Sequence, residues 1–174
     1  MRLKGIISSA LIMGLFFLLI TIGGCKKNVE AEKRETVEEQ KKEVKLRWFS
    51  YDQGLEQAKK SKKFILLDFY SERCPWCKVL DEKVYNEKKI KGYLKEDFIL
   101  IKIDAYRERS LAQKYGVRGL PYILFLESDG RSVAAILPGY VYPNIFIKVL
   151  RYVESGSYKR MSIDNYLRGG VDTD

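Results

Sequence analysis

The sequence predicts an α/β domain with a central mixed β-sheet flanked by helices. Three observations carry that expectation. Apolar runs of strand length alternate with segments of helical period, and the connections between them are short. The 174 residues are 46% hydrophobic and 32% charged, which suits one globular domain and excludes both a wholly disordered chain and a multi-span membrane protein. A Cys-x-x-Cys pair, Cys74 and Cys77, falls where a strand gives way to a helix.

The chain opens on an address. Gly5 to Gly24 carries no charge, Ile6 to Ile22 is strongly apolar, and Arg2 and Lys4 precede the run. This is the pattern of an export signal. Thr21-Ile22-Gly23-Gly24-Cys25 resembles a bacterial lipobox, in which small residues precede a cysteine that is lipidated and becomes the mature N-terminus. Residues 1–24 therefore read as a lipoprotein signal peptide and Cys25 as the lipidation site, an uncleaved signal anchor with an incidental Cys25 being the competing reading. Residues 25–45 read as a charged membrane tether. Lys26 to Lys45 holds thirteen charged residues of twenty and no apolar stripe. Fully extended, such a segment reaches about 65 Å at about 3.3 Å per residue.

The remaining elements follow in chain order. Val44–Phe49 is a candidate first strand, and Asp52–Ser61 a short helix with Asp52 as its N-cap. Phe64–Tyr70 is a continuous apolar run with one acid inside it, as in a strand buried on both faces. Pro75–Asn86 reads as a helix with proline in its first turn, and Glu87–Glu96 continues it after a break. Phe98–Asp104 is a second buried strand, and Glu108–Tyr115 a helix closed by Gly116. Pro121–Leu126 and Ser132–Leu137 read as strands joined through Ser128-Asp129-Gly130. Pro143–Glu154 is an amphipathic helix with Phe146, Val149, Leu150 and Val153 on one face. The domain spans 46–154, and 155–174 is a C-terminal extension with a short helix near Ser162–Leu167.

Several functions are excluded at once. There is no histidine, which removes His-based triads, His-containing zinc sites and imidazole proton shuttles. Three cysteines cannot build a disulfide scaffold. The formal net charge is +9, but from Leu46 onward the surplus of basic residues is only six. No basic cluster is interleaved with stacking aromatics, so no nucleic-acid partner is expected. A modest surplus fits attraction to acidic partners or an anionic membrane.

Cys74-Pro75-Trp76-Cys77 is the chemical centre. Cysteines three apart at the start of a helix can close a small disulfide ring. The unsatisfied N–H groups and positive end of the helix stabilise a thiolate at Cys74, and Arg73 and Lys78 add cationic charge. Half a zinc site and a purely structural disulfide are the competing readings. Zinc needs two further ligands, and the chain has neither a second Cys-x-x-Cys nor a histidine.

Two segments resemble the thioredoxin superfamily. Leu67 to Lys78 is similar to its strand, active-site loop and helix, and Lys114 to Tyr122 to the segment carrying its cis-proline. Leu137-Pro138-Gly139-Tyr140, with Tyr152–Tyr158, resembles the sulfur-oxidation-associated (SoxW-like) exported group. The resemblance implies a thioredoxin-like fold, with Cys74 as attacking and Cys77 as resolving cysteine. It also implies that Pro121 is the cis-proline, with Leu120 and Trp76 contacting substrate. A cis turn there leaves Leu120 backbone groups free to pair with an extended partner. Asp68 matches the buried acid; desolvation should raise its pKa and let it exchange protons with Cys77. The family often carries a lysine where Leu100 stands, and Lys102 on the same strand face is the substitute within reach.

The function implied is a membrane-tethered extracytoplasmic thiol–disulfide oxidoreductase that needs no cofactor and no metal. Its partners would be exported proteins with thiols or disulfides and a membrane electron-transfer protein. A thioredoxin-like Cu(I) metallochaperone using Cys74 and Cys77 and a redox-inert binding module are the alternatives. The twelve tyrosines, crowded toward the end, are expected to cover the edge of the core.

Overall fold

The computed structural model describes residues 45–169. The export signal, Cys25 and the tether up to residue 44 lie outside the described residues, as do residues 170–174.

The elements are β1 (Trp48–Phe49), α1 (Tyr51–Ser61), β2 (Phe64–Tyr70), α2 (Pro75–Leu80), a π-helical turn (Asp81–Tyr85), α3 (Lys88–Asp97) and β3 (Phe98–Asp104). Then come α4 (Arg109–Lys114), β4 (Tyr122–Leu126), β5 (Val133–Pro138), α5 (Pro143–Glu154), a 3₁₀ turn (Ser157–Lys159) and α6 (Ile163–Arg168). The sheet order is β1-β3-β2-β4-β5. β3 runs parallel to β1 and β2, while β4 is antiparallel to both β2 and β5. The sheet is therefore mixed, as expected.

The continuous apolar runs are explained by burial on both faces. Alternate residues of a strand point to opposite sides. Ile65, Leu67 and Phe69 of β2 join Ile99, Ile101 and Ile103 of β3 under α1 and α4. Leu66 and Leu100 face the other way, against Ile90 and Leu94 of α3 and Phe146, Val149, Leu150 and Val153 of α5. Each such fully buried side chain contributes about 1.5–3 kcal/mol relative to exposure. Asp68 shares the parity of Leu66, and Lys102 stands beside it in register on β3. On its other flank Asp68 is paired with Ile123 of β4. α1 approaches β3 closely at Gly54, where a Cβ would lie 2.5 Å from Ile101 Cδ1.

Three local expectations need correction. β1 is a two-residue edge strand, Trp48–Phe49, where Val44–Phe49 was expected. Leu46 packs on the core without joining a ladder. The N-cap of α1 is Ser50, in extended backbone, whose carbonyl accepts the Gly54 N–H at 2.9 Å, and Asp52 lies inside the first turn. The helix expected over Pro75–Asn86 changes pitch at Asp81. That wider turn accompanies the inward placement of both Val84 and Tyr85, the Tyr85 ring meeting Trp48 and Phe146.

The loop before β4 is set by Gly116. Its φ of +67° ends α4, with Gly116 N–H bonded to Gln113 O at 3.1 Å and Val117 N–H to Ala112 O at 2.9 Å. This is a Schellman closure, which needs a left-handed residue at that position. It turns Val117–Leu120 back toward the start of α2.

Candidate active site

Strand β2 ends at Tyr70, and the loop Ser71–Arg73 leads into Cys74, the N-cap of α2. Pro75 occupies the first helical position, where a missing N–H costs nothing. Cys77 N–H donates to Cys74 Sγ at 3.1 Å. Cys74 and Cys77 form a disulfide, with their Cα atoms 5.3 Å apart. Cys74 is the more accessible of the two, at 9% against 3%. The place of Cys74 at the head of the helix follows the sequence expectation.

The Leu120–Pro121 peptide bond is cis. Pro121 offers no backbone donor, and its carbonyl accepts the Gly139 N–H at 2.8 Å. Leu120 makes no turn or loop backbone hydrogen bond among the described residues. Cys74, Trp76 and Leu120 line one open hollow of about 430 Å³, whose rim includes Arg73, Tyr106 and Arg118. Trp76 is 58% exposed, and its ring lies 5.4 Å from Tyr140, which in turn lies 5.3 Å from the exposed Tyr142. These two tyrosines thus extend an aromatic ridge from the dithiol outward. Tyr152 and Tyr166, by contrast, are buried in the core, while Tyr142, expected with them at the core edge, stands 67% exposed.

Asp68 does not line the hollow. It is 1% exposed and belongs to a cluster with the buried Tyr85, the part-buried Lys102 and the more exposed Asp81. Lys102 Nζ lies 3.8 Å from Asp68 Oδ2 but donates to both Asp81 oxygens, at 2.5 and 2.7 Å. The rings of Trp48, Tyr70 and Tyr85 surround the same ammonium, 4.9, 5.0 and 5.9 Å away. Burial pushes the Asp68 carboxyl up to about 7; Lys102 opposes that rise and the Asp81 charge reinforces it. Tyr85 faces the same carboxylate, yet neither Asp68 Oδ1 nor Tyr85 Oη completes a hydrogen bond. Burial and the two carboxylates raise the Tyr85 phenol well above its usual value. Chemically, the cluster holds a carboxyl whose proton affinity burial raises to near neutrality.

The sequence matches the thioredoxin-like domain family over residues 51–154, three-fifths of the chain. The chain belongs to the thioredoxin-like family. Curated relatives include thiol:disulfide interchange proteins and protein disulfide-isomerases. The thiol:disulfide interchange protein DsbD of Photorhabdus laumondii is 31% identical over 86 residues, covering 47% of this chain and 15% of the relative. The protein disulfide-isomerase of Oryctolagus cuniculus is 42% identical over 69 residues, covering 38% and 13%. The chain thus spans less than a fifth of the length of these relatives. Among solved structures, a thioredoxin from Thermus thermophilus matches with a TM-score of 0.58 and 27% identity, over 62% of this chain and 86% of that one.

Within this thioredoxin-like domain, sequence reasoning passed over Asp81, Tyr85 and Arg118. Asp81 carries a weak signal, since it follows Cys77 by four residues and so shares its helix face. Tyr85 and Arg118 carry none; their places depend on the π turn and on the loop after Gly116. Cys25 lies outside the described residues, and among those residues no helix is long and apolar enough to cross a membrane.

Proposed function

We propose that this chain is a membrane-tethered, extracytoplasmic thiol–disulfide oxidoreductase that exchanges disulfides with exported proteins. The observation that carries the reading is the Cys74–Cys77 disulfide at the head of α2, its outer sulfur in a hollow shared with Leu120 of the cis Leu120–Pro121 bond. The apolar signal-like run and the lipobox at Cys25 support the tether and the location.

In the reduced protein, the Cys74 thiolate attacks a partner disulfide. A Cys74–partner bond forms, and the partner's other sulfur leaves as a thiolate. The Cys77 thiolate then attacks Cys74 Sγ, closing the intramolecular disulfide and releasing the first partner thiol. Two electrons pass from the dithiol to the partner, and the two thiol protons end on the released sulfurs. Run backward, the same steps oxidise a partner dithiol. Asp68 is the group that takes the Cys77 proton, since its carboxyl binds protons near neutral pH. Trp76 and Leu120 hold an extended partner segment in the hollow, with Pro121 fixing the turn. A membrane electron-transfer protein resets the dithiol.

The test is trapping. Cys77→Ser should accumulate reducible adducts through Cys74 with envelope proteins, because the resolving thiol is missing. Cys74→Ser should trap far fewer, because Cys77 is the more deeply buried residue. Absence of adducts with Cys77→Ser, where a control oxidoreductase yields them, would remove the reading.

A further inference from the structure

Charge is distributed unevenly around the hollow. Among the described residues, Arg73 and Arg118 are the only charged ones lining it. The hollow that continues past Leu120, between Gly116 and Gly139, again has Arg118 as its only charged residue among those described. The carboxylates nearby are already occupied. Glu72 pairs with Arg107 at 3.2 Å. Asp104 pairs with Arg107 at 3.6 Å and accepts the N–H groups of Tyr106 and Arg107. Neither the Arg73 nor the Arg118 guanidinium has an ion pair or hydrogen bond among the described residues.

Two exposed guanidiniums line the hollow of the outer sulfur; Arg73 also borders an adjoining hollow with Glu72 and Asp104, both of which Arg107 engages. An unpaired arginine presents a planar fork of donors that fits a carboxylate. Trp76 and Tyr106, 58% and 66% exposed, supply apolar walls between them. We infer that the hollow selects extended protein segments whose reactive cysteine is flanked on both sides by acidic side chains, with Arg73 and Arg118 receiving the carboxylates. This deepens the oxidoreductase reading and rests on it: the partner's charge pattern governs the attack of Cys74.

The experiment uses the full chain, reduced, and a set of peptides of equal length. Each peptide carries one cysteine as a mixed disulfide with 2-nitro-5-thiobenzoate, flanked on both sides by Glu, Gln or Lys. Attack by Cys74 on the peptide sulfur releases the coloured thiolate, and Cys77 then frees the peptide thiol. The two electrons come from the dithiol. At low ionic strength the Glu peptide should react about tenfold faster than the Lys peptide, the sum of two exposed attractions against two repulsions. The ratio should fall toward about twofold in molar salt, where charges are screened within about 3 Å. Arg118→Gln and Arg73→Gln should each reduce the ratio to about threefold, the double variant to about one, while Arg118→Lys should retain most of it.

Rates on the Gln peptide report the basal chemistry of every variant, so a misfolded variant is recognised independently of the ratio. Equal Glu and Lys rates in the native chain at low salt would overturn the inference and leave the oxidoreductase reading standing. Survival of the tenfold ratio in the double variant would do the same. Failure of all peptides to release thiolate would overturn both.

Discussion

Replacing Asp68 by Asn should stabilise the oxidised protein, and by an amount that grows with pH. Asp68 is almost fully buried, and its carboxyl titrates near 7 in the folded chain instead of at its ordinary 3.8. Below about pH 3.8 the acid is protonated in both folded and unfolded chains, and the favourable burial of the neutral form is fully present. As pH rises, the unfolded chain ionises first, so the folded chain holds the extra proton and stability falls. The loss is complete once pH passes about 7, where the folded carboxyl also ionises. Each tenfold difference in proton affinity is about 1.4 kcal/mol, so the full effect is about 4 kcal/mol. Asn has no proton to lose, so the variant escapes this slope. Urea unfolding of the oxidised full chains from about pH 4 to about pH 8.5 measures it. The stability advantage of Asp68→Asn over the native chain should widen by about 3–4 kcal/mol across that range. A difference that stays constant with pH, or that shrinks as pH rises, would refute the placement of a neutral acid at Asp68.

Lys102→Met removes the cation that opposes the rise at Asp68, so the pH at which stability levels off should move above 7 in the same unfolding series. Gly54→Ala should destabilise by about 1–3 kcal/mol despite the helix preference for alanine, because the new Cβ meets Ile101 and Phe49. Thermal or urea unfolding reads this, and a neutral result would mean that α1 stands off β3. Cys25→Ser should abolish metabolic lipid labelling and leave the precursor uncleaved; undiminished labelling would remove the lipoprotein proposal.

Much of the framework was legible because burial on both faces leaves a plain signature. Phe64–Tyr70 and Phe98–Asp104 are apolar without interruption save for Asp68, Lys102 and their ends, and both are strands over those residues. Pro143–Glu154 has an apolar face of helical period and is a helix over that span. The π turn left no trace, since Asp81–Tyr85 has the composition of an ordinary helix. β1 was overestimated because an edge strand needs few ladder bonds, and Leu46 satisfies the apolar pattern by packing alone. At the site, Cys74, Cys77, Pro121 and Asp68 stood out by residue type and by resemblance. Lys102 was legible as a neighbour of Asp68 from strand parity, but its preference for Asp81 was not. That preference is set by a side chain 21 residues earlier in the chain, delivered by the irregular turn. Arg118 became meaningful only once the loop closed by Gly116 brought it to the rim around Cys74.

The geometry also divides the proposed exchange reaction between two environments. The outer sulfur, Cys74, shares its hollow with Arg73 and Arg118, both exposed and unpaired among the described residues. The inner sulfur, Cys77, lies under cover, and the same helical run continues to Asp81 beside the carboxyl of Asp68. The two charged groups therefore differ in what can reach them. Exposed guanidiniums act through solvent and lose their influence in salt, whereas a buried carboxyl is poorly screened and responds to pH. In stopped-flow exchange, added salt and Arg118→Gln should slow formation of the mixed disulfide with an acidic peptide while leaving its decay little changed. Asp68→Asn should do the opposite, slowing decay of the mixed disulfide by about tenfold or more at pH near 7, the scale of a lost general base. The decay in Asp68→Asn should also lose the inflection near 7 that the native carboxyl imposes. If Asp68→Asn slows both steps equally, the carboxyl acts by holding the fold around both sulfurs, and the assignment of Asp68 as the base for Cys77 falls.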